Sequence, residues 1–223
     1  MEIWAKNDDY LHAHLLEEDA GLKNAFLQSR KLNLPEMEIS PSQGKFLYLL
    51  AKIKNAKRIL ELGTFCGYST IWLAKAVADD GVVVSVEYET AYAELARENA
   101  DYAGFSGKTK ILNGDAAVLL QKMISEKEEP FDMIFIDADK PNYPQYFALS
   151  LQLSKSGTVI YGDNVIRNGE LCNTNSHDEK VNGVRQFIEK LGETKTVEST
   201  SLQTVGIKGY DGFTLSVVEN VRN

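Results

Sequence analysis

Cysteine, histidine and proline are all scarce in this chain of 223 residues, and each shortage excludes something. Cys66 and Cys172 are its only cysteines, too few for a disulfide framework; they read as free thiols of a reducing, cytoplasmic setting. Cys66 has no histidine near it in sequence and reads as a small turn filler rather than a nucleophile. Of the three histidines, His12 and His14 stand two apart, face different sides of a helix and make a poor metal pair. His177 lies too far along a loop to be the first candidate for a base. The five prolines are scattered, and neither a linker nor a repeat interrupts the chain, so one domain is expected. No apolar run approaches the about 18 residues of a membrane span, and the N-terminus lacks a signal-peptide pattern. Positive charge is also short. Twenty-four Lys and Arg against 32 Asp and Glu leave a net charge of −8, which gives no electrostatic reason to expect tight nucleic-acid binding.

What is present is ordinary for a soluble globular protein: 43% hydrophobic and 25% charged residues, in a length that suits one α/β domain with a sizeable core. Residues 8–33 read as one or two helices. Ser40-Pro-Ser-Gln43 has the form of a capping box with proline at the first helical position. From residue 57 strands and helices alternate: strands over 57–62, 82–87, 109–113, 131–136 and 157–161, helices over 68–79, 90–103, 115–125, 143–153 and 177–191. Ser176 and Glu179 suggest a capping box for the last of these helices. Such alternation predicts a doubly wound, mostly parallel sheet with helices on both faces. Residues 197–204 and 213–218 then read as an antiparallel hairpin at the sheet edge, making seven strands in all.

The chain is organised around Arg58-Ile-Leu-Glu-Leu-Gly-Thr-Phe-Cys-Gly-Tyr-Ser-Thr70. A buried strand turns through Gly63 and Gly67 into a helix, a place where backbone N–H groups meet a nucleotide-like ligand. The next strand ends in Glu87, whose carboxylate could take a ribose diol; it follows Gly63 at close to the separation of about 20 residues usual for such a pair. A dinucleotide fingerprint fails, because its glycine offsets hold Gly63, Phe65 and Tyr68. A Walker A loop is absent as well. Glu61 adds negative charge near the turn, wrong for a phosphate but suited to the amino group and sulfonium of S-adenosylmethionine. The bland reading is a strand-turn-helix that binds nothing.

Polar groups also gather at the ends of the later strands, where ligands of such sheets bind. Asp137 follows Met133-Ile-Phe-Ile136, and Asp163-Asn164 follows Val159-Ile-Tyr161. Two carboxylates and an amide oxygen form a hard, all-oxygen set suited to Mg²⁺ or Ca²⁺. Lys140 stands three residues after Asp137 and is a candidate general base. Alternatively, Asp163-Asn164 merely turns the chain, Asp137 caps a helix, and Lys140 is solvated or paired with Asp137 or Asp139.

Three stretches resemble the cation-dependent class I S-adenosylmethionine O-methyltransferases, the family of catechol and caffeoyl-CoA O-methyltransferases: Leu60-Glu-Leu-Gly-Thr-Phe-Cys-Gly-Tyr-Ser69, Phe135-Ile-Asp-Ala-Asp-Lys-Pro-Asn-Tyr143 and Gly162-Asp-Asn-Val-Ile-Arg-Asn-Gly169. The likeness runs from about Met37 to the C-terminus and points to the short bacterial enzymes that act on catechol-bearing phenolics. It implies a Rossmann-like catalytic core over 37–223 behind an N-terminal helical section over 1–36. It places the methionine moiety against Ile39, Gly63, Thr64 and Ser69 with Glu61 near its amino end, the ribose on Glu87, and the adenine beside Asp115 and Ala116. Asp137, Asp163 and Asn164 would coordinate the cation, Asp139 would support the cofactor side, and Lys140 would be the base. Met37 and Asn168 would border the acceptor.

One position departs from the pattern. Arg167 stands where the plant enzymes carry tryptophan in Asp-Asn-x-x-Trp, which weakens a phenylpropanoid CoA ester and admits an acidic acceptor; a surface arginine is the plain alternative. Competing functions are a tRNA wobble hydroxyuridine O-methyltransferase, which would keep the same metal residues, a non-catalytic S-adenosylmethionine-binding protein and, remotely, a nicotinamide oxidoreductase. The family often dimerises, so a homodimer is expected.

Overall fold

The computed structural model describes residues 2–219. The described residues form two compact units, one reaching to Gly114 and taking in Gly206–Lys208, the other covering Asp115–Val205 and residues 209–219.

The first unit begins with three helices, α1 (Ile3–Leu15), α2 (Ala20–Lys31) and α3 (Pro41–Lys54). The expected single or double N-terminal helix is thus two helices. The Ser40 hydroxyl accepts from the Gln43 amide at 3.2 Å with proline at the start of α3, as the capping pattern predicts. Then follow β1 (Arg58–Leu62), α4 (Tyr68–Ala76), β2 (Val82–Glu87), α5 (Thr90–Tyr102) and β3 (Thr109–Asn113). β1 and β2 pair in parallel with Leu62 opposite Val86, and β2 and β3 with Glu87 opposite Asn113. Every residue of α4 except Lys75 is buried, because it packs against α3 where Gly44 admits the Trp72 indole; a Cβ on Gly44 would lie 2.3 Å from that ring.

The second unit holds α6 (Ala116–Ser125), β4 (Phe131–Ile136), α7 (Tyr143–Gln152), β5 (Ser154–Asp163), α8 (Glu179–Glu193) and the hairpin strands β6 (Val197–Gly206) and β7 (Gly209–Val218). β4 and β5 are parallel, and β7 runs antiparallel to β5 with Phe213 opposite Asp163. Phe187 of α8 lies edge-on to Tyr143 and Phe147 of α7, with centroids 5.4 and 5.7 Å apart, and anchors the core beneath the strand ends.

The seven strands are ordered β3-β2-β1-β4-β5-β7-β6, the mostly parallel, doubly wound sheet that the βα alternation predicts. Two local expectations change. Asp178, not Ser176, caps α8, accepting from the Lys180 amide at 2.8 Å. The C-terminal hairpin also closes more tightly than its eight-residue spacer suggested, since β6 runs on to Gly206 and β7 starts at Gly209, whose φ of 93° suits a turn. Among the described residues, no helix is long and apolar enough to cross a membrane.

Candidate active site

In the first unit, the turn after β1 is built by left-handed residues: Gly63 at φ 94°, Phe65 at φ 50° and Gly67 at φ 81°. Gly67 has a second reason to lack a side chain, because a Cβ there would press on Ala96 of α5 at 3.2 Å. The turn is held from β2. One Glu87 oxygen accepts from the Thr64 amide at 3.1 Å and the Phe65 amide at 2.8 Å, and the other accepts from the Glu89 amide at 2.9 Å. A carboxylate offers about four lone-pair positions, so three amides leave capacity for a hydroxyl.

Glu61 is completely buried. Its Oε2 accepts from the hydroxyls of Thr70 and Ser85, the latter at 2.6 Å, and Ser85 lies 2.5 Å from the Thr64 hydroxyl. The carboxyl group is therefore held inside a hydroxyl network under the turn. Ile39, Thr64 and Ser69 are buried, whereas Met37 is exposed. Burial pushes the Cys66 thiol up to about 12, which suits the turn-filler reading and not a nucleophile.

In the second unit, the register of β4 and β5 does the gathering. Ile136 lies opposite Gly162, so Asp137 and Asp163 leave neighbouring strands side by side. Asp163 is buried, and its Oδ1 accepts from the Asn164 amide at 2.8 Å. Asn164 itself is left-handed at φ 52°. Lys140 is buried as well and donates to Asp137 Oδ1 at 2.9 Å and to the Tyr143 hydroxyl at 2.6 Å. Asp139 is exposed, with its carboxylate accepting from the Tyr146 hydroxyl and from Asn142. Asp115 caps α6, accepting from the Val118 amide at 3.0 Å, with Ala116 buried behind it. Among the described residues, no group of three or more His, Cys, Asp or Glu side chains is gathered. Two carboxylates with an amide as third donor nonetheless make an oxygen set that fits a hard divalent cation.

A model of the O-methyltransferase family matches residues 13–217. The chain belongs to that family. This O-methyltransferase is 44% identical over 218 residues to a catechol O-methyltransferase of Niastella koreensis, covering 98% of this chain and 99% of the relative. It is 40% identical over 211 residues to a catechol O-methyltransferase of Mycobacterium tuberculosis, covering 95% and 94%. Among solved structures, an O-methyltransferase of Bacillus cereus in complex with SAH superposes with a TM-score of 0.95 at 46% identity, over 97% of this chain and 98% of the other. The enzyme TomG of Streptomyces achromogenes, in complex with SAM and involved in tomaymycin synthesis, also gives 0.95, at 42% identity over 99% and 100%.

Against the sequence expectations, the O-methyltransferase brings Glu61, Gly63, Thr64, Ser69 and Glu87 to one strand edge, and Asp137, Lys140, Asp163 and Asn164 to another. Tyr143 escaped the sequence reading although it stands three residues from Lys140. Its hydroxyl shares its hydrogen between the carbonyl oxygens of Ile136, at 2.9 Å, and Asp163, at 3.0 Å. Burial pushes this phenol well above its ordinary value, and the charges of Asp137 and Asp163 push the same way, so it stays protonated. Gly183 was missed too. It lets α8 approach the Lys140 backbone, where a Cβ would lie 2.2 Å from the Lys140 carbonyl oxygen.

Proposed function

We propose that this O-methyltransferase is a divalent-cation-dependent enzyme that moves the methyl group of S-adenosylmethionine to a hydroxyl of a catechol-like small phenolic. The observation that carries this reading is the Ile136–Gly162 register, which delivers Asp137 and Asp163 side by side with Lys140 held 2.9 Å from Asp137. The relatives named as catechol O-methyltransferases support the acceptor class, and the solved relatives holding SAM or SAH support the methyl donor.

In this reading the glycine turn and Ile39, Thr64 and Ser69 receive the methionine part, and Glu61 tunes the field beneath it. Glu87 uses its remaining acceptor capacity on the ribose, while Asp115, Ala116 and Asp139 border the adenosyl group. Asp137, Asp163 and Asn164 hold the cation. When bound, a divalent cation lowers the pKa of a catechol hydroxyl and fixes its position. Lys140, aimed by Tyr143, removes or shares the hydroxyl proton. Met37, Arg167 and Asn168 orient the acceptor, so that its oxygen attacks the methyl carbon in line as the sulfonium is neutralised.

A homodimer fits the same reading. α1 contains no buried residue and exposes Ile3, Tyr10, Leu11 and Leu15, apolar side chains that a second copy can cover.

The test is methyl transfer from labelled S-adenosylmethionine to a catechol, with Mg²⁺ and with EDTA. Transfer that disappears with EDTA is the expected result. Transfer indifferent to EDTA would remove the cation from the proposal.

A further inference from the structure

We infer that Arg167 is a specificity-determining residue that binds a carboxylate on the acceptor, and that Asp211 is the positioning residue that aims it; the inference rests on the phenolic reading above. The loop after β5 is the starting point. Asn164, Arg167 and Asn168 take φ values of 52°, 54° and 55°, and Gly169 follows at 88°. Asparagine tolerates the left-handed region, but an arginine in it is unfavourable and persists only where the surroundings hold it.

β7 provides that hold. Asp211 Oδ1 accepts from the amides of Ile166 at 2.9 Å, Arg167 at 3.1 Å and Gly212 at 2.9 Å. The Val165 amide donates to the Gly212 carbonyl at 3.0 Å. Gly212 makes this approach possible, since a Cβ on it would lie 2.6 Å from Ile166 Cγ1 and 2.4 Å from the Leu202 carbonyl oxygen. One carboxylate thus fixes the backbone of the loop at the residue that bears the guanidinium.

One nitrogen of the guanidinium at the end of this arrangement is unsatisfied. Arg167 Nε is buried and, among the described residues, has no hydrogen-bond partner. Burying a guanidinium donor without an acceptor is unfavourable, so a rigid loop that does so is built for an acceptor brought by a ligand. Arginine's planar fork matches carboxylate and phosphate alike, and on a small phenolic acceptor the group of that kind is a carboxylate. Its position also fits the chemistry. Arg167 stands three residues after Asn164, on the connection that leaves β5 at Asp163. A catechol whose ring carries a carboxylate is therefore the acceptor class that the loop selects.

The test compares 3,4-dihydroxybenzoate with 3,4-dihydroxybenzamide, a neutral compound of the same shape, as acceptors in the presence of Mg²⁺. The native enzyme should prefer the acid. Arg167→Gln should lower the acid-to-amide ratio of kcat/KM by about tenfold or more, chiefly through the KM of the acid, as loss of a charge-assisted bond implies. Arg167→Lys should restore part of that ratio. Asp211→Ala should lower the same ratio, which a merely structural defect would leave alone while reducing both rates together. A ratio unchanged in Arg167→Gln, with both compounds methylated, would overturn this inference and leave the phenolic reading standing. No transfer to either compound by the native enzyme would overturn both.

Discussion

The Tyr143 hydroxyl accepts from Lys140 Nζ at 2.6 Å and donates its own hydrogen to the carbonyl oxygens that end β4 and β5. Lys140 is thereby tied to the same two strands that supply Asp137 and Asp163. Its direction is set by the sheet as well as by Asp137 of its own connection.

Removing that hydroxyl should show in the chemical step. Tyr143→Phe keeps the ring against Phe187 but takes away a buried hydrogen bond to Lys140, a loss of about 0.5–1.5 kcal/mol. A fall in kcat of up to about tenfold is expected, with the KM for S-adenosylmethionine nearly unchanged. A variant as fast as the native enzyme in single-turnover kinetics would show that Lys140 needs no such anchor.

Asp163 separates the two kinds of binding. Asp163→Ala removes a buried carboxylate from the proposed cation set without touching the glycine turn. Methyl transfer should drop to background while calorimetry still records binding of S-adenosylhomocysteine. If both are lost together, the cation residues lie elsewhere.

Much of this was legible in the sequence, for reasons that can be named. Strands such as Met133–Ile136 are apolar without interruption because they are buried on both faces, and their polar successors mark the strand ends. A parallel sheet then puts Asp137 and Asp163 together whatever the loops do. Other features need the third dimension. Nothing in the spacing says that Glu87 would spend three acceptor sites on amides, or that Asp211, more than 40 residues from the loop it holds, would reach the Ile166 and Arg167 amides. Asp178 displaced Ser176 as the α8 cap because both residue types satisfy the pattern and only the backbone path chooses between them.

Gly183 is a case where local propensity and packing point in opposite directions. Alanine is the better helix former by roughly 0.5–1 kcal/mol, which alone would make Gly183→Ala stabilising. The 2.2 Å approach to the Lys140 carbonyl reverses the sign, since such overpacking costs about 1–3 kcal/mol. The variant should unfold at lower temperature and lose kcat, because the backbone forced to move carries Lys140. A raised melting temperature with full activity would sink the argument.

The two thiols should differ sharply. Cys172 is exposed, whereas burial holds the Cys66 thiol at about 12. At pH 8 a disulfide reagent should titrate one thiol per chain quickly and reach the second only in denaturant, with activity unaffected by modification of a Cys66→Ser background. Rapid reaction of both thiols in the native protein would mean that the turn opens.

Asp19 gives a stability change with a definite sign. Partial burial pushes its carboxyl up, but the bond to Lys75, the α2 amides and the Lys75 charge outweigh it, so the folded-state value lies below the ordinary 3.8. A depressed carboxyl contributes stability that is present above the unfolded value and lost as pH falls through the folded one. Asparagine retains the cap on Leu22 but has no charge to lose. The melting temperature of Asp19→Asn should therefore fall less steeply than that of the native protein as pH drops from about 5 toward 3, and the two curves should converge at the acid end. The side chain is 47% exposed, so the difference should be small and should shrink in high salt. Parallel curves at low salt would mean that Asp19 acts only as a cap, its pairing with Lys75 adding nothing.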